Sequence, residues 1–146
     1  MSTQPTYDDV NLILRLYELR REEKMRAARA WFISSYHARA MEEHNTLCPP
    51  GSEHHAYFRM VVSYWDMAAS FVTAGVLNQD LFLESGRELL FVWERIRAIV
   101  PQWREAMKNP GVMSHVETLA NAAIKKMNSQ GPETYAAFQA MVHRTS

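Results

Sequence analysis

The chain has 146 residues, 47% hydrophobic and 22% charged, and its 16 basic and 16 acidic side chains sum to zero. That length gives a single domain over 1–146 with a sizeable core, and the zero balance gives no overall pull toward nucleic acid or an anionic membrane. Cys48 is the only cysteine, so an intramolecular disulfide is impossible and a reducing compartment, the cytoplasm, is expected.

The opening MSTQPTYDDV has no basic stretch followed by an apolar run, so it does not read as a signal peptide, and residues 1–5 are expected to be disordered. Thr6-x-x-Asp9 then marks a helix start, because both side chains can satisfy orphan amide groups and Asp8 and Asp9 favour the positive end of the helix. No Gly or Pro follows until Pro49. An unbroken helix from Tyr7 to Asn45 would run ~58 Å at 1.5 Å per residue, longer than the roughly 40 Å breadth of a compact chain of this size. Such a helix either projects and meets a partner or bends. The weak helix formers Ser34, Ser35, Tyr36 and His37 are the expected bend, leaving a long N-terminal helix over 7–34 and a short one from Ala38 to Leu47. Within the long helix, Val10, Leu14, Tyr17, Met25, Ala28 and Phe32 read as one continuous stripe around the charged run Arg20–Arg26.

Ser52 caps the next helix, read over 53–74 as the central apolar helix, with Gly75 placed for the left-handed C-terminal conformation. Its core, MVVSYWDMAASFVTAGVL from Met60 to Leu77, carries one formal charge, Asp66. Arg59, Ser63, Asp66, Ser70 and Thr73 fall at steps of four, three, four and three, a narrow polar stripe on an apolar cylinder. A carboxylate near the middle of a bilayer span would cost roughly 2.5–3.5 kcal/mol, so the segment reads as a bundle helix and no membrane partner is expected. Asn78 caps a short helix with Leu77 and Phe82 at staple spacing; Leu89, Trp93, Ile96 and Val100 face inward on the next; Pro101 restarts the chain before Trp103. Asn109-Pro110 reads as the cap and first residue of a helix burying Val112, Val116, Leu119, Ala123, Ile124 and Met127, and a last helix begins at Pro132 and docks through Tyr135, Phe138 and Val142. The sum is an all-α, irregular helical bundle of about five to seven helices.

Four groups of side chains could carry chemistry. His37, Met41, His44 and Cys48 share a helical face, but with one thiol and no His-Glu-x-x-His or Glu-x-x-His motif they make a poor metal site, and neither a metal nor another cofactor is expected. Arg15, Arg20, Arg21, Lys24, Arg26 and Arg29 against Glu18, Glu22 and Glu23 form a basic face, which reads either as a solvated helix or as a nucleic-acid surface. Trp31, Trp65, Trp93 and Trp103 with Tyr36, Tyr57 and Tyr64 either line a ligand pocket or, as aromatics at helical spacing usually do, form core. Asp66 and its stripe are either a solvent edge or a polar seam, and a buried Asp66 calls for a cationic or hydroxyl partner, with Arg87, Arg95, Arg97 and His115 as the candidates.

Tyr64-Trp65-Asp66-Met67-Ala68, Phe71-Val72-x-x-Gly75-x-Leu77-Asn78, Leu81-Phe82 and Gly86 ahead of Trp93 resemble a family of small all-helical bacterial proteins of unknown function, over residues 57–93. The resemblance implies an all-helical fold and the corner at Asn78. It brings no catalytic residues, and the N-terminal membrane helix that members of that family often carry is not expected here. The preferred reading is a cytoplasmic, non-enzymatic helical module that binds a second copy of itself, or another protein, through its N-terminal helix. The alternatives are a small-ligand sensor or enzyme with a pocket near Asp66, and a nucleic-acid binder using the Arg15–Arg29 face.

Overall fold

The computed structural model describes residues 4–144, and among these it is all-helical. The expected disorder over 1–5 falls partly on 1–3, outside the described residues. Nine helices follow in chain order: α1 (Tyr7–Arg20), α2 (Glu23–Ser35), α3 (Met41–Leu47), α4 (Glu53–Thr73), α5 (Gln79–Ser85), α6 (Arg87–Ile96), α7 (Val100–Met107), α8 (Ser114–Gln130) and α9 (Thr134–Arg144). The sequence reading of five to seven is low, in part because the N-terminal stretch is broken once more than expected.

The first break is the larger correction. Glu22 leaves the helical conformation and its carboxylate accepts hydrogen bonds from the Lys24 and Met25 amides, capping α2, while the Arg21 amide closes α1 on Glu18 and Leu19. There is no long N-terminal helix over 7–34. The stripe read across it divides accordingly: Met25, Ala28 and Phe32 are buried, whereas Val10, Leu14 and Tyr17 are exposed. The second break, at Tyr36 to Ala40, overlaps the expected bend at Ser34 to His37, but α2 runs through Ser35 and α3 starts at Met41 rather than Ala38. Phe32 and Tyr36 are completely buried there, their rings stacked at 5.1 Å, against Phe58 of α4.

α4 follows its capping signals closely. The Ser52 hydroxyl accepts from the His55 amide, and Gly75 at φ +82° lets the Val76 and Leu77 amides turn back onto the Phe71 carbonyl. A residue with a Cβ resists that left-handed turn. α4 packs against α2 and α8, and α8 in turn against α6 and α9, so the pairs run α2, α4, α8, α6, α9 across the bundle.

α8 starts at Ser114 rather than at Pro110. The Asn109 side chain accepts from the Gly111 amide and closes a local turn, and Met113 at φ +57° enters the helix without a cap of its own. Arg104 holds this entrance from α7, donating to the Val112 carbonyl at 2.9 Å and to Glu117 at 2.8 Å. α9 likewise begins two residues after the expected Pro132, following an extended Gly131.

α1 is tied to the bundle at both ends of its inner face. Thr6 and Asp9 form the reciprocal cap, and Asp9 also accepts from the Asn78 amide at 2.9 Å, so one carboxylate serves the start of α1 and the corner before α5. Leu16 is buried and its carbonyl accepts the Tyr64 hydroxyl of α4. The Asn78 amide, then the Thr6 amide, hold the Asp9 carboxyl below its ordinary value. Its contribution is therefore present above the unfolded-chain value of about 3.9 and is lost as pH falls through the lower folded value. Asp9→Ala is expected to lower the melting temperature at neutral pH, and the gap to the wild type is expected to close in melts at about pH 2.

Candidate functional site

The stripe on α4 is partly a solvent edge and partly a seam. Arg59 and Ser63 are exposed, with the Ser63 hydroxyl donating to the Arg59 carbonyl. Ser70 is half-buried and donates to Met67. Asp66 turns to α8, where it accepts the Val116 amide at 3.1 Å. It thus supplies from another helix the N-terminal cap that Met113 lacks. Its partner is a backbone amide and not one of the cationic candidates; His115 instead meets Thr73, at 2.8 Å. Asp66 is not among the residues lining the best-formed clefts of the described surface. The stripe is a docking seam at its C-terminal half.

Of the metal candidates, His44 and Cys48 come together and His37 does not join them. His44 is buried, with Nδ1 2.9 Å from the Tyr36 hydroxyl and 3.6 Å from the Cys48 sulfur. Burial pushes the Cys48 thiol up to about 11, and the thiol donates to the His44 carbonyl. Burial drives Tyr36 far above its ordinary value, so its hydroxyl stays protonated and available as a donor to the imidazole. His37 is exposed, and among the described residues no group of three His, Cys, Asp or Glu side chains is placed to hold a metal ion.

Burial, and then the neighbouring His55, hold the His44 imidazole below its ordinary pKa. Below about pH 6.5 the unfolded chain takes up a proton that the folded chain refuses, so this stability is complete above that pH and falls as pH drops toward the lower folded value. One proton sets a ceiling of about 1.4 kcal/mol per pH unit on the slope. Urea unfolding is expected to show stability falling as pH drops below about 6.5, with a slope no steeper than that ceiling, and His44→Gln is expected to flatten it.

Sequence reasoning missed a polar cluster on α6. Glu94 is buried and accepts the Tyr135 hydroxyl, the Arg97 guanidinium at 3.2 Å and the Gln139 amide at 3.3 Å, with His143 at 3.7 Å. Burial, and then the bond to Glu94, push Tyr135 up to about 12. A cleft of about 390 Å³ opens beside it, between His37, Arg39, Arg97 and His143. Glu94 has its lone pairs occupied, which suits a counter-charge joining α6 to α9 better than a free base. The available signal was the run Trp93-Glu94-Arg95-Ile96, two charges bracketed by two inward residues on one short helix.

The basic face is divided in three dimensions. Arg20, Arg21 and Arg29 line one cleft together with Arg87 of α6, which the sequence placed elsewhere, whereas Arg15, Lys24 and Arg26 are exposed outside it. Arg29 is engaged at all three nitrogens: Nε and Nη2 meet the two Glu88 oxygens at 2.8 and 2.7 Å, and Nη1 donates to the Arg20 carbonyl. α1 adds a row of four solvent-facing apolar side chains, with Tyr7 81%, Val10 41%, Leu14 53% and Tyr17 47% exposed, at helical steps of three, four and three.

A family model described as Domain of unknown function (DUF4760) matches residues 5–127. The chain belongs to that family. The DUF4760 match takes in the motifs between Tyr57 and Trp93 and extends from the Thr6 cap into α8 as far as Met127. Asp9, Asp66, the arginine cleft and the exposed face of α1 thus lie within the DUF4760 region, while Tyr135, Gln139 and His143 of the Glu94 cluster lie beyond it. No curated protein and no solved structure matches the chain. Among the described residues no helix is long and apolar enough to cross a membrane.

Proposed function

We propose that this chain is a non-enzymatic helical binding module of the bacterial cytoplasm that pairs with a second copy of itself through α1. The observation that supports this is the row Tyr7, Val10, Leu14 and Tyr17, exposed on one face of a helix whose opposite face is held by Asp9 and Leu16. A pinned helix presenting four large apolar side chains to water is the pattern of an interface rather than of scattered surface residues. With α1 and α2 separated at Glu22, neither helix overreaches the breadth of the chain, and the exposed row of α1 is the surface left for association.

A second copy is the favoured occupant because the row is self-complementary. An antiparallel two-fold at its centre sets Tyr7 against Tyr17 and Val10 against Leu14, and it brings the Asp8 end of each helix toward the Arg15 end of the other. Opposed macrodipoles favour the same arrangement. Four residues per copy are fewer than the roughly 20–30 a side of a standard interface, so the expected dimer is weak and concentration-dependent. The cytoplasmic placement rests on the single cysteine, which is buried.

Light scattering coupled to size exclusion, run over a concentration series, tests this directly. The wild type is expected to shift toward dimer as concentration rises, and Leu14→Glu to remain monomeric. Leu19→Glu, a change at an exposed leucine on another side of α1, is expected to behave as wild type. A wild type that is monomeric throughout ends the self-association reading.

A further inference from the structure

We propose that the cleft between the C-terminal end of α1, α2 and the α5–α6 junction binds a compact phosphate-class anion through Arg20, Arg21 and Arg87. This site is formed within one copy of the chain, and Tyr17, which lies beneath Arg20 and Arg21, is the one residue it shares with the face proposed for association.

The cleft holds about 300 Å³, at the small end of ligand sites, and is lined by four arginines against Glu84 and Glu88. Both carboxylates are already engaged. Glu88 is bound at both oxygens by Arg29, and Glu84 is held by Lys126 at 2.6 Å. Arg29 commits three of its five N–H donors, one on each nitrogen, to Glu88 and the Arg20 carbonyl, so it acts first as the tie joining α2 to α1 and α6. Among the described residues no carboxylate lies within ion-pair distance of Arg20, Arg21 or Arg87.

Those three guanidiniums are nevertheless not loose. Arg20 lies over both Trp65 and Tyr17, at 5.1 and 5.3 Å from their centroids; Arg21 lies 5.7 Å from Tyr17; and Arg87 lies 5.8 Å from Phe138. A guanidinium stacked on a ring uses its flat face and keeps its N–H edge for an acceptor, which is how planar forks recognise phosphate oxygens. Trp65, the ring beneath Arg20, lines a small pocket that shares Tyr17, Arg20 and Ser85 with the cleft, and its buried indole N–H lies outside the cleft lining. Three uncompensated cations, prearranged on aromatic rings in a concave site of this size, suit a small multiply charged anion better than an extended polynucleotide, which would need the cations laid out along a track. A phosphate fits the fork geometry and the charge, whether it is carried by a soluble molecule or by a lipid headgroup.

Isothermal titration of the whole protein with inorganic pyrophosphate and with inorganic phosphate tests the site. The expected result is saturable one-site binding to pyrophosphate that weakens with added salt. Arg87→Gln is expected to weaken it by about tenfold or more, as loss of a charge-assisted bond to phosphate requires. Arg20→Gln is expected to do the same, and circular dichroism separates its effect on Trp65 packing from its effect on binding; Arg87→Gln serves as the readout if that variant unfolds. Arg26→Gln, on α2 but outside the cleft, is expected to bind as wild type, and so is Leu14→Glu, which separates this site from the dimer face. Flotation with phosphatidic acid vesicles distinguishes the two carriers: retention competed by pyrophosphate and lost in Arg87→Gln assigns the phosphate to a lipid, and pyrophosphate binding without retention assigns it to a soluble ligand. Absence of saturable pyrophosphate or phosphate binding overturns the proposal, as does equal loss in Arg26→Gln.

Discussion

Replacing Arg95 with methionine is expected to destabilise the fold by about 3 kcal/mol. Arg95 is buried, and its guanidinium donates through Nη1 to the Tyr36 carbonyl and through Nη2 and Nε to the Val142 carbonyl, at 2.9 and 3.3 Å. One side chain on α6 thus joins the α2–α3 connection to α9. Burial lowers its pKa, a sign that the charge is held at some cost. Methionine keeps much of the stem, including its place beside Phe91, and removes that desolvation cost. It also leaves two carbonyls of completely buried residues without these donors, at ~1–3 kcal/mol each, which outweighs the relief. Arg95→Lys is expected to fall between the two, because an ammonium cannot reproduce the fork. Urea midpoints at constant m-value measure this; a loss under about 1 kcal/mol for Arg95→Met would mean that the carbonyls find other donors.

The local signals in the sequence were legible and the long-range ones were not. Thr6 with Asp9, Ser52, Gly75 and Asn78 each act within a few residues of themselves, and each sits where its chemistry placed it. The break at Arg21 and Glu22 was hidden because it uses neither Gly nor Pro, and glutamate is not among the favoured capping residues. Reading through it joined two apolar stripes that face different ways, and so concealed that Val10, Leu14 and Tyr17 look outward. The start of α8 was hidden for another reason: its cap, Asp66, lies fifty residues earlier. The arginine cleft combines both difficulties. Arg20, Arg21 and Arg29 were visible as a basic run, but only the turn at Glu22 folds them toward α6, and Arg87 carries no sequence mark that links it to them. The Glu94 cluster depends on α9, more than forty residues onward, and on charges that a helical pattern assigns to the surface.

Phe32→Ala is expected to cost about 3–5 kcal/mol, the range for deleting a fully enclosed aromatic ring. Phe32 is completely buried on α2, stacked on Tyr36 and 6.5 Å from Phe58, and Phe58 in turn lies 4.6 Å from His44 and 5.6 Å from Trp103. The cluster therefore spans α2, the connection after it, α3, α4 and α7, and the hole left by one ring cannot be filled by movement of a single helix. Phe32→Leu retains most of the apolar volume and is expected to cost much less, about 1–2 kcal/mol. The two variants also differ in a second readout. His44 resists protonation because burial in this cluster, and then the neighbouring His55, disfavour its charged form. A cavity beside Tyr36 weakens the larger of these causes by opening the cluster to water, so Phe32→Ala is expected to reduce the loss of stability between about pH 7 and 5, while Phe32→Leu is expected to keep it. If the alanine variant is destabilised yet retains the full slope, the imidazole is shielded by Phe58 and Cys48 alone and the aromatic stack contributes packing without controlling its charge.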